Sequence, residues 1–185
     1  MMRHDFTALA SDSLLLIVDV QQAMLKVIRD SEAVVSRVAQ LARAAAVVNV
    51  PVAVTEHYKK GLGPTIPEVL GEVPGATVLQ KEHFSACLEP DFLTTIGSFG
   101  RSRIILVGME AHVCVLQTGL DLLKAGFQVH LVEDAVSSRR PQDRATAINL
   151  FRQAGAIITC TEIVIFQWAC RSNTEPFRRI LPIVK

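Results

Sequence analysis

Arg103–Val132 reads RIILVGMEAHVCVLQTGLDLLKAGFQVHLV. The stretch opens on an unalternating apolar run, Arg103 to Val107, the pattern of a strand covered on both faces and therefore of a parallel sheet. Val113 to Ala125 then carries a helical pattern closed by Gly126, a residue suited to the left-handed turn after a helix. A second apolar run follows at Gln128 to Val132. Parallel neighbours need a crossover of a dozen or more residues, which the intervening helix supplies, so the segment reads as one right-handed strand–helix–strand unit.

The same grammar extends outward. Short apolar runs recur at Leu14 to Val18, Val52 to Thr55, Thr77 to Leu79 and Ala156 to Thr159. Helical patterns lie between them. Glu32 to Asn49 has Ser31 as its N-cap and Pro51 beyond its end, and Pro141 opens Gln142 to Gln153. The expected architecture is a three-layer α/β/α domain, doubly wound and Rossmann-like, on a six-stranded parallel sheet in the order 3-2-1-4-5-6. Residues 1–185 make one domain, with a core over about 13–169 and a C-terminal docking or oligomer-contact segment at 170–185. Between Glu56 and Gly75, glycines and prolines break any regular element, leaving a long connection at the carboxyl end of the second strand. A loop of that length in a compact domain usually serves a site.

Composition narrows the function. The chain has 185 residues, half of them hydrophobic, and 19 basic against 18 acidic residues give a net charge of +1. Near-neutral charge without a run of Lys and Arg argues against nucleic acid as a partner. No apolar run approaches the length of about 20 residues that a bilayer requires, so no membrane is implied. The four cysteines, at 87, 114, 160 and 170, are scattered without a CxxC pair, which points to a reducing, cytoplasmic setting. The N-terminus lacks the continuous apolar segment of a signal peptide.

Three polar residues stand where such a sheet places its chemistry, at or beyond the carboxyl ends of strands. Asp19 ends LLLIVD, Lys81 ends ATVLQK, and Cys114 follows the strand that ends at Gly108. Taken singly, each has a plain alternative: a helix-capping carboxylate, a solvated lysine, a buried packing thiol. In the expected strand order, however, the first and fourth strands are neighbours about 4.8 Å apart, and the third lies roughly 10 Å off, within reach of a lysine stem. Asp19 would accept the thiol proton and Lys81 would stabilise the resulting charge. Amides at the start of the following helix would lower the thiol pKa and hold an oxyanion.

LLLIVDVQQAML, LQKEHFSA and VGMEAHVCVLQTGLDLLKAGFQVHLVEDAVSSR together resemble the isochorismatase-like cysteine hydrolases, from about Ser13 to Ala169. The likeness is strongest to the small isochorismatase-domain-containing proteins. It implies the isochorismatase-like hydrolase fold and an Asp–Lys–Cys catalytic triad at Asp19, Lys81 and Cys114. It also implies a cis peptide at Met109–Glu110 that shapes the oxyanion hole. The implied activity is hydrolysis of a small amide or related C–N bond through a Cys114 thioester, with Asp19 as general base and acid and Lys81 as electrostatic stabiliser. Two alternatives stay open: an ether hydrolase of the isochorismatase type, and a catalytically quiet binding protein that retains the fold.

The wall of the pocket is read from neighbours of the triad. Gln21 contacts substrate or loop, Phe84 covers the substrate or joins the core, and His112 lines the mouth. Glu56 and Glu110 select a cationic or amine-bearing ligand. The nicotinamidases of the family carry a metal-binding Asp-x-His pattern after the second strand. The corresponding VTEHYKKGLGPT places Glu56 and His57 side by side instead, so neither metal nor cofactor is implied. The expected partners are a small-molecule substrate and, from the resemblance and the oily IVIFQWAC stretch, further copies of the chain.

Overall fold

The computed structural model describes residues 3–185. Six strands form one sheet: β1 Ser13–Val18, β2 Val52–His57, β3 Thr77–Lys81, β4 Arg103–Met109, β5 Gln128–Ser137 and β6 Ile157–Thr159. Their order is β3-β2-β1-β4-β5-β6, and every pairing is parallel.

Central β1 shows why the apolar runs decide this fold. All six of its residues are buried, and because successive side chains point to opposite faces they feed two cores. Leu15 and Ile17 pack beneath helices α1 (Ser31–Val48), α7 (Thr161–Ala169) and α8 (Glu175–Val184). Leu14, Leu16 and Val18 pack against α4 (Phe92–Ser98), α5 (Leu116–Lys124) and α6 (Pro141–Gln153). Each large aliphatic side chain so buried contributes about 1.5–3 kcal/mol, and a one-residue slip of β1 would exchange the two cores these side chains fill. The edge strand β3 departs from this pattern. Its residues alternate in exposure, with Val78 41% exposed, because only one neighbour and one face cover it.

Several boundaries differ from the sequence expectation. Ser31 is the first residue of α1 rather than its cap: Asp30 takes the cap position in a left-handed conformation, and the Ser31 hydroxyl donates to Leu25 O. Val113 to Ala125 is not one α-helix. Its start belongs to a π-helical turn, Ala111–Val115, and α5 begins only at Leu116. The Glu56–Gly75 connection is not wholly irregular, since β2 runs on to His57 and two single-turn helices follow, α2 (Lys59–Leu62) and α3 (Pro67–Leu70). The C-terminal segment docks on its own chain: Ile180 of α8 is buried, and Gln40 Nε2 of α1 donates to Ile183 O at 2.5 Å. Among the described residues no helix is long and apolar enough to cross a membrane.

Candidate active site

At the carboxyl ends of β1, β3 and β4 the sheet brings together the three residues singled out by sequence. Asp19 directly follows β1 with φ at 52°, a left-handed conformation uncommon for a residue with a Cβ. Its N–H donates to Thr55 O on β2, and the Thr55 hydroxyl donates to Asp19 Oδ1 at 2.7 Å. Lys81 ends β3, two strands away, and its stem spans β2 to put Nζ 2.8 Å from Asp19 Oδ2. Nζ also donates to the carbonyls of His83 at 3.2 Å and Phe84 at 3.4 Å. The ammonium stands at ion-pair distance from Oδ2 without a well-directed hydrogen bond to it, so this oxygen keeps acceptor capacity.

Cys114 sits in the π-helical turn that follows β4, the strand paired with β1 through Val18 and Gly108. π-Turns of this kind are often found at functional sites. The Met109–Glu110 peptide leading into the turn is cis. Asp19, Lys81 and Cys114 are 1%, 3% and 7% exposed, so the cluster is nearly closed to solvent.

The thiol corrects one sequence expectation. Burial first, and the Asp19 carboxylate second, push the Cys114 pKa up to about 12, with Lys81 opposing them. A helix start was expected to lower it; here desolvation and a neighbouring anion outweigh the amides. Burial and the neighbouring Asp19 carboxylate thus both favour the protonated form of Cys114.

The other singled-out residues divide into those near the cluster and those spent on structure. Gln21 uses its whole amide on the loop: Oε1 accepts from His57 N at 2.8 Å, and Nε2 donates to His57 O at 3.0 Å and Gly63 O at 2.6 Å. Glu56 is likewise consumed. Its Oε1 accepts from Thr65 N at 2.8 Å, while Oε2 accepts from Gln80 Nε2 at 2.6 Å and pairs with Lys59 at 2.9 Å. Burial pushes the Glu56 carboxyl up, yet these donors outweigh burial and hold it below its ordinary value. Glu110 accepts from Arg139 N and Arg139 Nε at 3.1 and 3.0 Å. Both oxygens of Glu56 thus have partners from the chain, whereas Glu110 engages Arg139 through Oε2 alone.

His112 is partly buried, its Nδ1 2.9 Å from the Ser138 hydroxyl. Met109 is fully buried in the core. Phe84 is 53% exposed and leans on the His57 ring at 5.5 Å, so it lies at the surface beside Lys81 rather than in the core. Burial, and Lys81 after it, hold the His57 imidazole below its usual pKa, and its Nδ1 is buried with no partner. A hollow of about 470 Å³ is lined by Tyr58, Lys59, Lys60, Gln80, Lys81, Glu82 and Glu89, and of the cluster it touches Lys81 alone, with neither Asp19 nor Cys114 in its wall. A larger hollow of about 700 Å³, between Leu25, Val35 and Ile66, lies away from the cluster. Among the described residues no group of three or more His, Cys, Asp or Glu side chains is placed to hold a metal ion.

Thr55 was missed in the sequence although a signal was there: it is the last residue of the second apolar run, the same strand-end position that exposed Asp19 and Lys81. Ser85, Thr118 and Asp121, which join the turn after β3 to α5, carry no comparable signal.

The fold and the cluster of acid, lysine and thiol define a class, and comparison with known proteins names it. The isochorismatase domain matches residues 13–163, and the chain belongs to that family. Isochorismatase domain-containing protein 2 of Danio rerio is 38% identical over 169 residues, covering 91% of this chain and 84% of the fish protein. Among solved structures, MAR1 ribonuclease from Caenorhabditis elegans is 36% identical with a TM-score of 0.89, covering 95% of this chain and 91% of its own. YcaC from Pseudomonas aeruginosa, solved with hexane-2,5-diol and covalent acrylamide, is 26% identical with a TM-score of 0.90, covering 98% of this chain and 93% of its own.

Proposed function

We propose that the protein is a metal-independent cysteine hydrolase that cleaves a small amide or related C–N bond. The observation that carries this reading is the burial together of Cys114, Asp19 and Lys81, with the lysine 2.8 Å from the carboxylate and both charges acting on the thiol. As Cys114 Sγ attacks the substrate carbonyl carbon, its proton passes to Asp19 Oδ2. Lys81 holds the charge while the proton moves, and the unpaired first amides of the Ala111–Val115 turn receive the oxyanion. Collapse breaks the C–N bond, and Asp19 returns the proton to the leaving nitrogen. Water then attacks the thioester, Asp19 takes one of its protons, and thiolate leaves to be reprotonated. The sum is amide plus water giving acid plus amine, with the enzyme restored. A thiol kept protonated at rest suits this sequence, because attack and proton transfer are coupled.

The YcaC relative with covalently bound acrylamide, an electrophile to which thiols add, supports a nucleophilic site in this fold. A ribonuclease reading comes with the name of the worm relative. A chain of net charge +1 with a nearly closed cluster suits a small neutral amide better than a polyanion.

A library of small amides and carbamoyl compounds tests the reading, with intact-mass detection of an acyl adduct on Cys114 and an RNA substrate run in parallel. The expected result is turnover lost in Cys114→Ala. Full turnover in that variant, or RNA cleavage that survives it, overturns the assignment.

A further inference from the structure

We infer that Ser85 and Asp121 are positioning residues that hold Lys81 against Asp19 and Cys114 by clamping the turn after β3 to α5, the helix that continues the turn carrying the nucleophile. The inference rests on the cysteine-hydrolase reading and deepens it. Lys81 Nζ is held by Asp19 Oδ2 and by two main-chain carbonyls, of His83 and Phe84. A carbonyl makes a good fixed partner for an ammonium only if its own chain is fixed, and residues 82–85 have no helix or strand to fix them.

Two side-chain devices do so instead. On the solvent side, Glu89 Oε1 accepts from Glu82 N at 2.8 Å and His83 N at 3.0 Å. On the buried side, the Ser85 hydroxyl donates to Asp121 Oδ2 at 2.6 Å and Ala86 N donates to Thr118 Oγ1 at 3.0 Å. Ser85 is 1% exposed and Thr118 is fully buried, so the Ala86–Thr118 bond is closed to water and the Ser85–Asp121 bond is reached by it only from the partly exposed Asp121 side. Thr118 and Asp121, three residues apart in α5, share one face of the helix that continues directly from the π-helical turn carrying Cys114. The helix that continues the thiol's turn therefore grips the turn whose carbonyls aim the lysine, and the separation of lysine from thiol is set by this grip rather than by the edge strand alone. Ser85 adjoins Phe84, so a shift of its side chain is transmitted to the neighbouring carbonyl through one peptide unit, which is planar and stiff. Asp121 also acts on Cys87, whose thiol is raised to about 12 by burial first and by Asp121 second.

The test is the rate of iodoacetamide alkylation of Cys114 at pH 8, read by peptide mass spectrometry so that Cys87, Cys160 and Cys170 are followed separately. Ser85→Ala, Asp121→Ala and Asp121→Asn are compared with Lys81→Met and the unaltered protein. Loss of the lysine's charge lowers the thiolate fraction, so Lys81→Met slows alkylation. Ser85→Ala and Asp121→Ala are expected to slow it threefold or more, and their combination no further, because they break one clamp. Asp121→Asn keeps an acceptor for the Ser85 hydroxyl and is expected to recover most of the rate. A merely structural role gives the opposite sign, since a loosened turn exposes Cys114 and speeds its reaction. Unchanged or faster alkylation in Ser85→Ala, the smaller perturbation and the decisive variant if Asp121→Ala does not fold, overturns the clamp. If Lys81→Met itself leaves the rate unchanged, the triad reading falls and the clamp with it, whereas a slowed Lys81→Met beside an unaffected Ser85→Ala removes the clamp alone.

Discussion

Lys81 Nζ lies 2.8 Å from Asp19 Oδ2, and the two side chains are 1% and 2% exposed. The lysine reaches this position from the edge strand, across β2, so the pair ties three strands together at the end of the sheet. A buried pair is weak evidence for net stability, but breaking it from one side strands a charge in a low-dielectric interior, at a cost of about 3–5 kcal/mol. Lys81→Ala is expected to lose about that much in urea denaturation. Asp19→Asn with Lys81→Met, which removes both charges, is expected to recover a large part of it. If the single and double variants unfold at the same urea concentration, the charges are better solvated than their burial indicates.

The two raised thiols make stability depend on alkaline pH. Cys114 and Cys87 move from an ordinary value of 9.0 to about 12, burial being the first cause in both. A group whose folded pKa is raised contributes stability that is fully present below its unfolded pKa and is lost as pH climbs toward the folded one. Urea midpoints should therefore fall from about pH 9 upward. Cys87→Ser and Cys114→Ser should each make that fall shallower, and a slope unchanged in both would mean that neither thiol is buried as described.

Thr55 supplies the only side-chain hydrogen bond to Asp19 Oδ1 among the described residues. A hydrogen bond to a charged group contributes about 1.5–3 kcal/mol, and its loss leaves a buried carboxylate oxygen unsatisfied. Thr55→Val keeps the shape and removes the donor, whereas Thr55→Ser keeps the donor and removes a methyl. Thermal unfolding should place the valine variant well below the serine variant. The reverse order would show that the threonine is held for its packing.

How far these features were legible depends on whether a residue's role is set by its own chain position or by partners distant in sequence. Leu14 to Val18 is legible directly, because an apolar run this short, closed by a charge, suits a strand covered on both faces better than a buried helix. Asp19 and Lys81 stood out for the same reason in reverse, as charges closing oily runs. Gln21 and Glu56 were noticed near the site, but their roles are decided by Gly63, Thr65 and Gln80, which no local pattern joins to them. The direction of the thiol's shift is not legible, because a helix start is visible in sequence whereas burial and the nearness of the Asp19 charge are not.

Gln21 gives that distinction an experimental form. Its three amide bonds fasten both His57 and Gly63, and together with the Glu56 bond to Thr65 they hold the connection that leads from β2 through α2. Gln21→Ala is expected to unfasten residues 58–65 while leaving the sheet intact. Limited proteolysis should then cut first in that segment, with the thermal midpoint falling by a few degrees. Cleavage at rates equal to the unaltered protein would mean that the loop is held by other contacts.

Gly108 and Gly119 separate two ways in which this fold requires a missing side chain. At Gly108 φ is +120°, and a Cβ would stand 2.0 Å from Val18 O and 2.7 Å from Val18 N. The obstruction is main chain of the paired strand β1, which cannot move aside without parting the sheet beside Asp19. Gly119, within α5, would place its Cβ 2.3 Å from the Phe151 ring and 2.8 Å from Leu106. Those neighbours are side chains, but both are buried in one core, and overpacking such a site costs about 1–3 kcal/mol. Gly108→Ala is therefore expected to yield little folded protein. Gly119→Ala should fold with a lowered thermal midpoint and regain stability when Phe151→Leu makes room. A Gly108→Ala protein that melts within a few degrees of the unaltered chain would show that β1 and β4 do not approach as closely as described.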